Sequence, residues 1–171
     1  MITYLTGDAT DPQVPGNKII AHVCNDIGGW GRGFVLSLSR KWPQPEQSYR
    51  RWYQEQDNAE EWPPMKLGQT IFVPVQPDIY VANMVGQHGV LTKDDGTPPI
   101  RYGAVEECLR DVEKFARDFD HASVHMPRIG CGLAGGEWSE VEAIINRVFI
   151  DTEVYVYDFN TGDARTIPWK K

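Results

Sequence analysis

Two glycine-rich stretches each follow a short apolar run and precede a helical pattern, and this repeated strand, glycine turn, helix arrangement constrains the fold more than any other feature. The first is Asn25-Asp26-Ile27-Gly28-Gly29-Trp30-Gly31-Arg32-Gly33, directly after Lys18-Ile19-Ile20-Ala21-His22-Val23-Cys24. The second is Pro127-Arg128-Ile129-Gly130-Cys131-Gly132-Leu133-Ala134-Gly135-Gly136, after Ser123 to Met126. The nearly continuous apolar run before the first turn suits a strand covered on both faces, which belongs in the middle of a sheet. In open α/β sheets ligands bind beyond the carboxyl ends of the strands, where such turns lie.

The rest of the chain fits the same alternation. Ile2 to Thr6 reads as a first strand ending at Gly7-Asp8. A helix begins at Phe34, is interrupted by Pro43 and Pro45, and resumes over Glu46 to Gln56. Thr70 to Val75 and Ile79 to Val85 form a hairpin or neighbouring strands, and residues 91 to 99 read as a mobile surface loop. Val105, Cys108, Leu109, Val112, Phe115, Ala116 and Phe119 recur at helical spacing over residues 101 to 119. Ser139 with Glu142 predicts a capping box at the start of another helix, and Glu153 to Phe159 predicts a closing strand. The expected fold is a three-layer α/β/α domain over residues 1–159 with a mixed, largely parallel central sheet, followed by a tail over 160–171.

Length and charge narrow the function. The chain has 171 residues, which suits one domain. It carries 24 acidic against 17 basic residues, a net charge of −7, which argues against general capture of nucleic acid or an anionic membrane surface. Three cysteines without a CxxC pair suggest neither a disulfide framework nor zinc, and fit a reducing cytoplasm. No apolar run approaches the ~18 residues of a membrane span, and the first residues do not resemble a secretory leader. A monomer is expected.

A local anion site is nevertheless compatible with that charge. Glycine lets successive backbone N–H groups converge on an anion, and a following helix adds its positive end. Two such loops could hold a diphosphate without many basic side chains; alternatively, these glycines only permit tight turns. Gly130 to Gly135 formally matches GxGxxG, but it follows a late strand rather than opening a first βαβ unit. His22 and His125 lie in apolar strands and read as structural. His88, in Gly86-Gln87-His88-Gly89 after a strand, is either an acid or base near the ligand or an exposed loop residue. Trp30 either covers a sugar or base, or anchors packing. Cys24 and Cys131 flank the expected pocket as packing residues. No metal-ligand constellation and no cofactor motif are visible.

Gly7-Asp8-Ala9-Thr10, Ile20-Ala21-His22-Val23-Cys24-Asn25 with its glycine loop, and Met126-Pro127-Arg128-Ile129-Gly130-Cys131-Gly132-Leu133 together resemble a macrodomain from residue 1 to about residue 159. The similarity is greatest to the subgroup containing the terminal ADP-ribose protein glycohydrolase and the ADP-ribose-1″-phosphate phosphatases. The resemblance implies binding of ADP-ribose and of ADP-ribosylated proteins. Asp8, with Ala9 beside it, would accept from the adenine amino group, and Tyr157 or Phe159 would pack on the adenine face. The loop Gly28, Gly29, Trp30, Gly31, Gly33 and the loop Arg128, Ile129, Gly130, Cys131, Gly132, Leu133, Ala134, Gly135 would wrap the diphosphate and distal ribose. Asn25 would face that ribose.

The sequence also departs from the subgroup. Its glycohydrolases use a lysine at the end of the strand corresponding to Ile79 to Val85, and an acidic residue just after Gly-Cys-Gly-Leu. Here the strand end reads Asn83-Met84-Val85-Gly86-Gln87, and Ala134 follows Leu133. The expectation is therefore hydrolysis of ADP-ribose from glutamate or aspartate side chains by an oriented water, held by the diphosphate and Asn25 with Asp26, Gln87 or His88 assisting. The alternatives are a non-catalytic ADP-ribose reader and an ADP-ribose-1″-phosphate phosphatase.

Overall fold

The computed structural model describes residues 1–56, 60 and 62–159; the tail expected over 160–171 lies outside them. Ten elements follow in order: β1 (Ile2–Thr6), β2 (Lys18–Asn25), α1 (Phe34–Lys41), α2 (Gln44–Gln54), β3 (Thr70–Gln76), β4 (Ile79–Gln87), α3 (Tyr102–Asp118), β5 (Ser123–Met126), α4 (Trp138–Val148) and β6 (Val154–Asp158). The strands form one six-stranded sheet in the order β1-β6-β5-β2-β4-β3. All neighbours pair in parallel except the β3/β4 hairpin, so the sheet is mixed and largely parallel, as expected.

Side chains alternate across β2 and divide the interior into two cores. Ile19 and Ala21 join Val105, Leu109, Val112, Val141 and Ile145 under α3 and α4. Ile20 and Cys24 join Leu38, Trp42, Tyr49 and Trp52 under α1 and α2. These are the three layers. β2 sits between β4 and β5; the turn after β2 leads to α1 on one face, whereas those after β4 and β5 lead to α3 and α4 on the other, which opens a crevice at their carboxyl ends.

Two local expectations change. The second helix begins at Gln44 rather than Glu46, with Pro45 inside its first turn, where a missing N–H costs nothing because that group has no intrahelical partner. The capping box does not form. α4 starts at Trp138 after Glu137 and has no side-chain cap, which makes Ser139 an exposed residue inside the first turn. Glu142 instead accepts a hydrogen bond from the Tyr4 hydroxyl, so a tertiary contact wins over the local one. Ser139→Ala is therefore expected to change the unfolding free energy by less than about 0.5 kcal/mol, against about 1 kcal/mol for a lost N-cap; urea unfolding of the variant checks this.

The stretch 91–99 is also divided. Residues 91–96 are exposed, but Pro99 and Ile100 are covered. Ile100 forms a bridge with Gln87, and the Arg101 guanidinium donates to the carbonyls of Pro98, Pro99 and Ile100 at 2.6, 3.0 and 3.0 Å. What reads as one surface loop thus ends in a fixed brace.

Candidate functional site

At the carboxyl ends of β2, β4 and β5 lies a cavity of about 330 Å³, within the range of small-ligand sites. Both glycine loops form its walls. Asn25, Gly29, Trp30, Gly31 and Gly33 line it from the first, and Arg128, Ile129, Gly130, Gly132, Leu133 and Ala134 from the second, with Gln87 between. The Leu133 side chain lies against Gly33, so the two loops meet.

Asn25 builds the first loop. Its Oδ1 accepts from the backbone N–H groups of Ile27 (3.0 Å) and Gly29 (2.9 Å) and from the Tyr49 hydroxyl (2.9 Å), while Nδ2 donates to the Gly29 carbonyl at 2.8 Å. The residue is buried, and one amide hydrogen remains for a ligand or water. Gly28 adopts φ +78° directly under the Tyr53 ring, where any Cβ would collide. Gly33 caps α1 with φ 79° and no side-chain bond, and the first turn of α1 carries no acidic residue. Its early N–H groups at Phe34 and Val35, which also line the cavity, are left available to an anion.

The second loop is held from outside. Gly130 has φ +71°, and a Cβ there would lie 2.4 Å from Ile100 Cδ1. The Ile100 N–H donates to the Ala134 carbonyl at 3.1 Å. The brace at the end of residues 91–99 therefore shapes the loop after β5. Arg128 makes a two-point ion pair with Asp158 at 2.7 and 3.0 Å and lies 5.1 Å from the ring centres of both Tyr4 and Trp138. Much of its charge is thus already matched at the cavity wall. Arg32, exposed in the first loop, is the other arginine of the lining.

The remaining sequence-selected residues lie around the cavity rather than in its lining. Asp8 is exposed at the end of β1, with Oδ1 accepting from Thr10 N and Oγ1, both at 2.8 Å; Ala9 beside it is buried. Tyr157 is buried, its hydroxyl bonded to His125 Nδ1 at 2.7 Å, and Phe159 is covered at the end of β6. Cys131 turns its thiol to the Ile129 carbonyl, and burial pushes that thiol up to about 11. Gly28, against Tyr53, and Gly135, against Pro98, are not among the lining residues. Asp26 and His88 pair with each other at 2.7 Å just outside.

Trp30 is a packing anchor that also forms wall: its indole N–H donates to Ser39 at 2.8 Å, and its ring packs on His22 and Tyr49. His22 lies on the cavity floor, bonded through Nε2 to the Asn83 carbonyl oxygen, and burial drives its pKa down to about 4. Asn83 is fully buried and also donates to the Pro45 carbonyl at 3.1 Å. The end of β4 thus presents Gln87, not Asn83, to the cavity.

Sequence reasoning missed Arg32 and the apolar rim formed by Val90 and Leu91, all lining residues. Arg32 was visible as a cation between two loop glycines. Nothing local marks Val90 and Leu91, because only the β4-to-α3 connection brings them to the mouth. Among the described residues, no group of three or more histidine, cysteine or acidic side chains is gathered for a metal.

No family model matches the chain. Among curated proteins, it is 31% identical over 176 residues to chromodomain-helicase-DNA-binding protein 1-like of Danio rerio, covering 95% of this chain but only 16% of that much longer one. It is 25% identical to an ADP-ribose 1″-phosphate phosphatase of Candida albicans, covering 85% of this chain and 92% of the phosphatase. Among solved structures, a protein of unknown function from Bacteroides thetaiotaomicron superimposes with a TM-score of 0.86 at 54% identity, over 92% of this chain and 98% of the other. A macrodomain protein from Streptomyces coelicolor superimposes with a TM-score of 0.78 at 49% identity, over 94% of this chain and 100% of the other. Identity of 49% to the Streptomyces macrodomain over 94% of this chain and all of the other shows that this chain belongs to the macrodomain family.

Proposed function

We propose that this cavity binds ADP-ribose and that the protein is a hydrolase releasing mono-ADP-ribose from glutamate or aspartate side chains. The observation that carries the reading is the convergence of both glycine loops and the start of α1 on one cavity. Backbone N–H groups supply the donors for a diphosphate, so a chain of net charge −7 needs few cations there. Exposed Asp8 keeps Oδ2 available for an adenine amino group.

The acyl bond at the anomeric carbon has a stable leaving group, so the protein's task is to hold a water in line with it. The bound diphosphate and the remaining Asn25 amide hydrogen serve that role. A lysine nucleophile is not required: Asn83 is enclosed between His22 and Pro45, and Ala134 carries no acid. The likeness to the Candida phosphatase over 92% of that protein favours a second reading, cleavage of a 1″-phosphate in the same cavity.

Titration calorimetry with ADP-ribose, followed by product analysis on a glutamate-linked mono-ADP-ribosylated peptide and on ADP-ribose-1″-phosphate, tests both. Release of ADP-ribose from the peptide is expected. Phosphate release alone selects the second reading, and binding without turnover selects a reader.

A further inference from the structure

We propose that Asp26 and His88 act as a carboxylate–imidazole pair that takes the proton from the attacking water, an assignment that rests on the hydrolase reading above. The two residues are 62 positions apart but leave adjacent parallel strands. Asn25, at the end of β2, stands opposite Gln87 at the end of β4, and both line the cavity. Asp26 and His88 are the next residues along each chain segment, which puts the pair at the mouth.

The geometry fixes every part except the working atom. Asp26 Oδ2 accepts from His88 Nδ1 at 2.7 Å, and Asp26 Oδ1 accepts from the Gly89 N–H at 2.8 Å. The carboxylate is mostly covered, at 16% exposure, whereas the imidazole is 54% exposed. The His88 N–H donates to the Pro99 carbonyl at 2.8 Å, so the backbone carrying the ring is tied to the brace beside the second glycine loop. With Nδ1–H directed at Asp26, the neutral ring presents Nε2 as its acceptor, and no described residue bonds to it. A loop staple would need only the bond from Asp26 to Gly89. The additional imidazole, oriented by the carboxylate and open to solvent between cavity-lining Gln87 and Val90, has the arrangement of a general base with its orienting group.

In the step assigned to it, the water oxygen bonds to the anomeric carbon as the bond from that carbon to the acyl oxygen breaks. The bonding pair leaves on the side-chain carboxylate, and the water proton passes to His88 Nε2. Asp26 stabilises the resulting imidazolium, which then returns its proton to solvent. All atoms come from water and substrate, and no oxidant or reductant enters.

The test uses the full chain and a glutamate-linked mono-ADP-ribosylated peptide, with His88→Ala, His88→Gln, Asp26→Asn and the Asp26→Asn/His88→Ala double variant. Expected for each single variant is a fall in kcat of about 10² to 10⁴, with ADP-ribose affinity by calorimetry within about threefold of wild type. The double variant should be no slower than His88→Ala, because the pair works as one unit. Added imidazole should restore part of the His88→Ala rate, which repair of a merely structural loss would not do. In ¹⁸O-labelled water the label should enter ADP-ribose, not the released carboxylate. An active wild type whose His88→Ala and His88→Gln variants keep kcat within threefold overturns this assignment alone, as does label in the carboxylate. A wild type that binds ADP-ribose but releases none from the peptide overturns the hydrolase reading and this assignment with it.

Discussion

Replacing Asn25 with alanine is expected to lower the unfolding free energy by about 3 kcal/mol and to weaken ADP-ribose binding at least tenfold. One side chain here satisfies two loop N–H groups, one loop carbonyl and the Tyr49 hydroxyl. Each buried group left without a partner costs roughly 1–3 kcal/mol, and relaxation of the exposed part of the loop returns some of that. The Tyr49 hydroxyl also bonds to the Asn25 main-chain carbonyl at 2.6 Å and keeps this second partner. Asn25→Asp separates the two roles of the amide. It retains an acceptor for Ile27 and Gly29 but sets a carboxylate oxygen against the Gly29 carbonyl, so it should lose binding more than stability. Urea unfolding and calorimetric titration with ADP-ribose measure both effects. Full ADP-ribose affinity in Asn25→Ala would mean that the first glycine loop keeps its shape without this residue.

The second large effect is acid destabilisation above the range where most carboxylates titrate. His22 and His125 are both buried, and burial pushes their pKa values from 6.5 down to about 4 and about 3. Lys18 adds to the effect at His125. The folded protein holds both rings neutral, while the unfolded chain takes up protons at the ordinary imidazole value. Their stabilising contribution is therefore complete above pH 6.5 and is lost as pH falls from there towards 4 and 3. At about 1.4 kcal/mol per unit for each ring, lowering the pH from 7.5 to 5.0 should remove about 4 kcal/mol in all. Urea unfolding at the two pH values gives the difference. His125→Gln should roughly halve that difference, and an unfolding free energy independent of pH over this window would refute the account.

Strand positions were legible because β-branched and apolar runs stop at turn-forming residues, Gly7, Asn25-Asp26, Pro77, Gly86 and Pro127 among them, and both loops of the cavity were legible from their glycines. Roles that depend on pairing across the chain were not. Gly130 needs Ile100 beside it, Asp26 needs His88, and Glu142 serves Tyr4 rather than Ser139. In each case the partner lies 30 or more positions away, beyond any window in which periodicity or capping patterns operate. Tyr157 shows a further gap. Alternation along β6 assigns faces, but the hydrogen bond between the Tyr157 hydroxyl and buried His125 joins residues 32 positions apart, which no local pattern reveals.

The strand order has a consequence for how the chain is made. β1 is made before the other strands of this sheet, yet among the described residues its strand partner is β6, the last of them, with Ile2 beside Val154 and Thr6 beside Asp158. During synthesis Asp8 therefore has no sheet edge to stand on until residues up to 158 have emerged, although β2, β4 and β5 can already assemble the glycine-loop cavity. The glycine-loop cavity and the β1 edge beside it are therefore completed at different stages of synthesis. Contacts this distant along the chain slow the last stage of folding. A nascent or truncated chain ending before β6 would carry β1 as a free apolar strand, open to pairing with another chain.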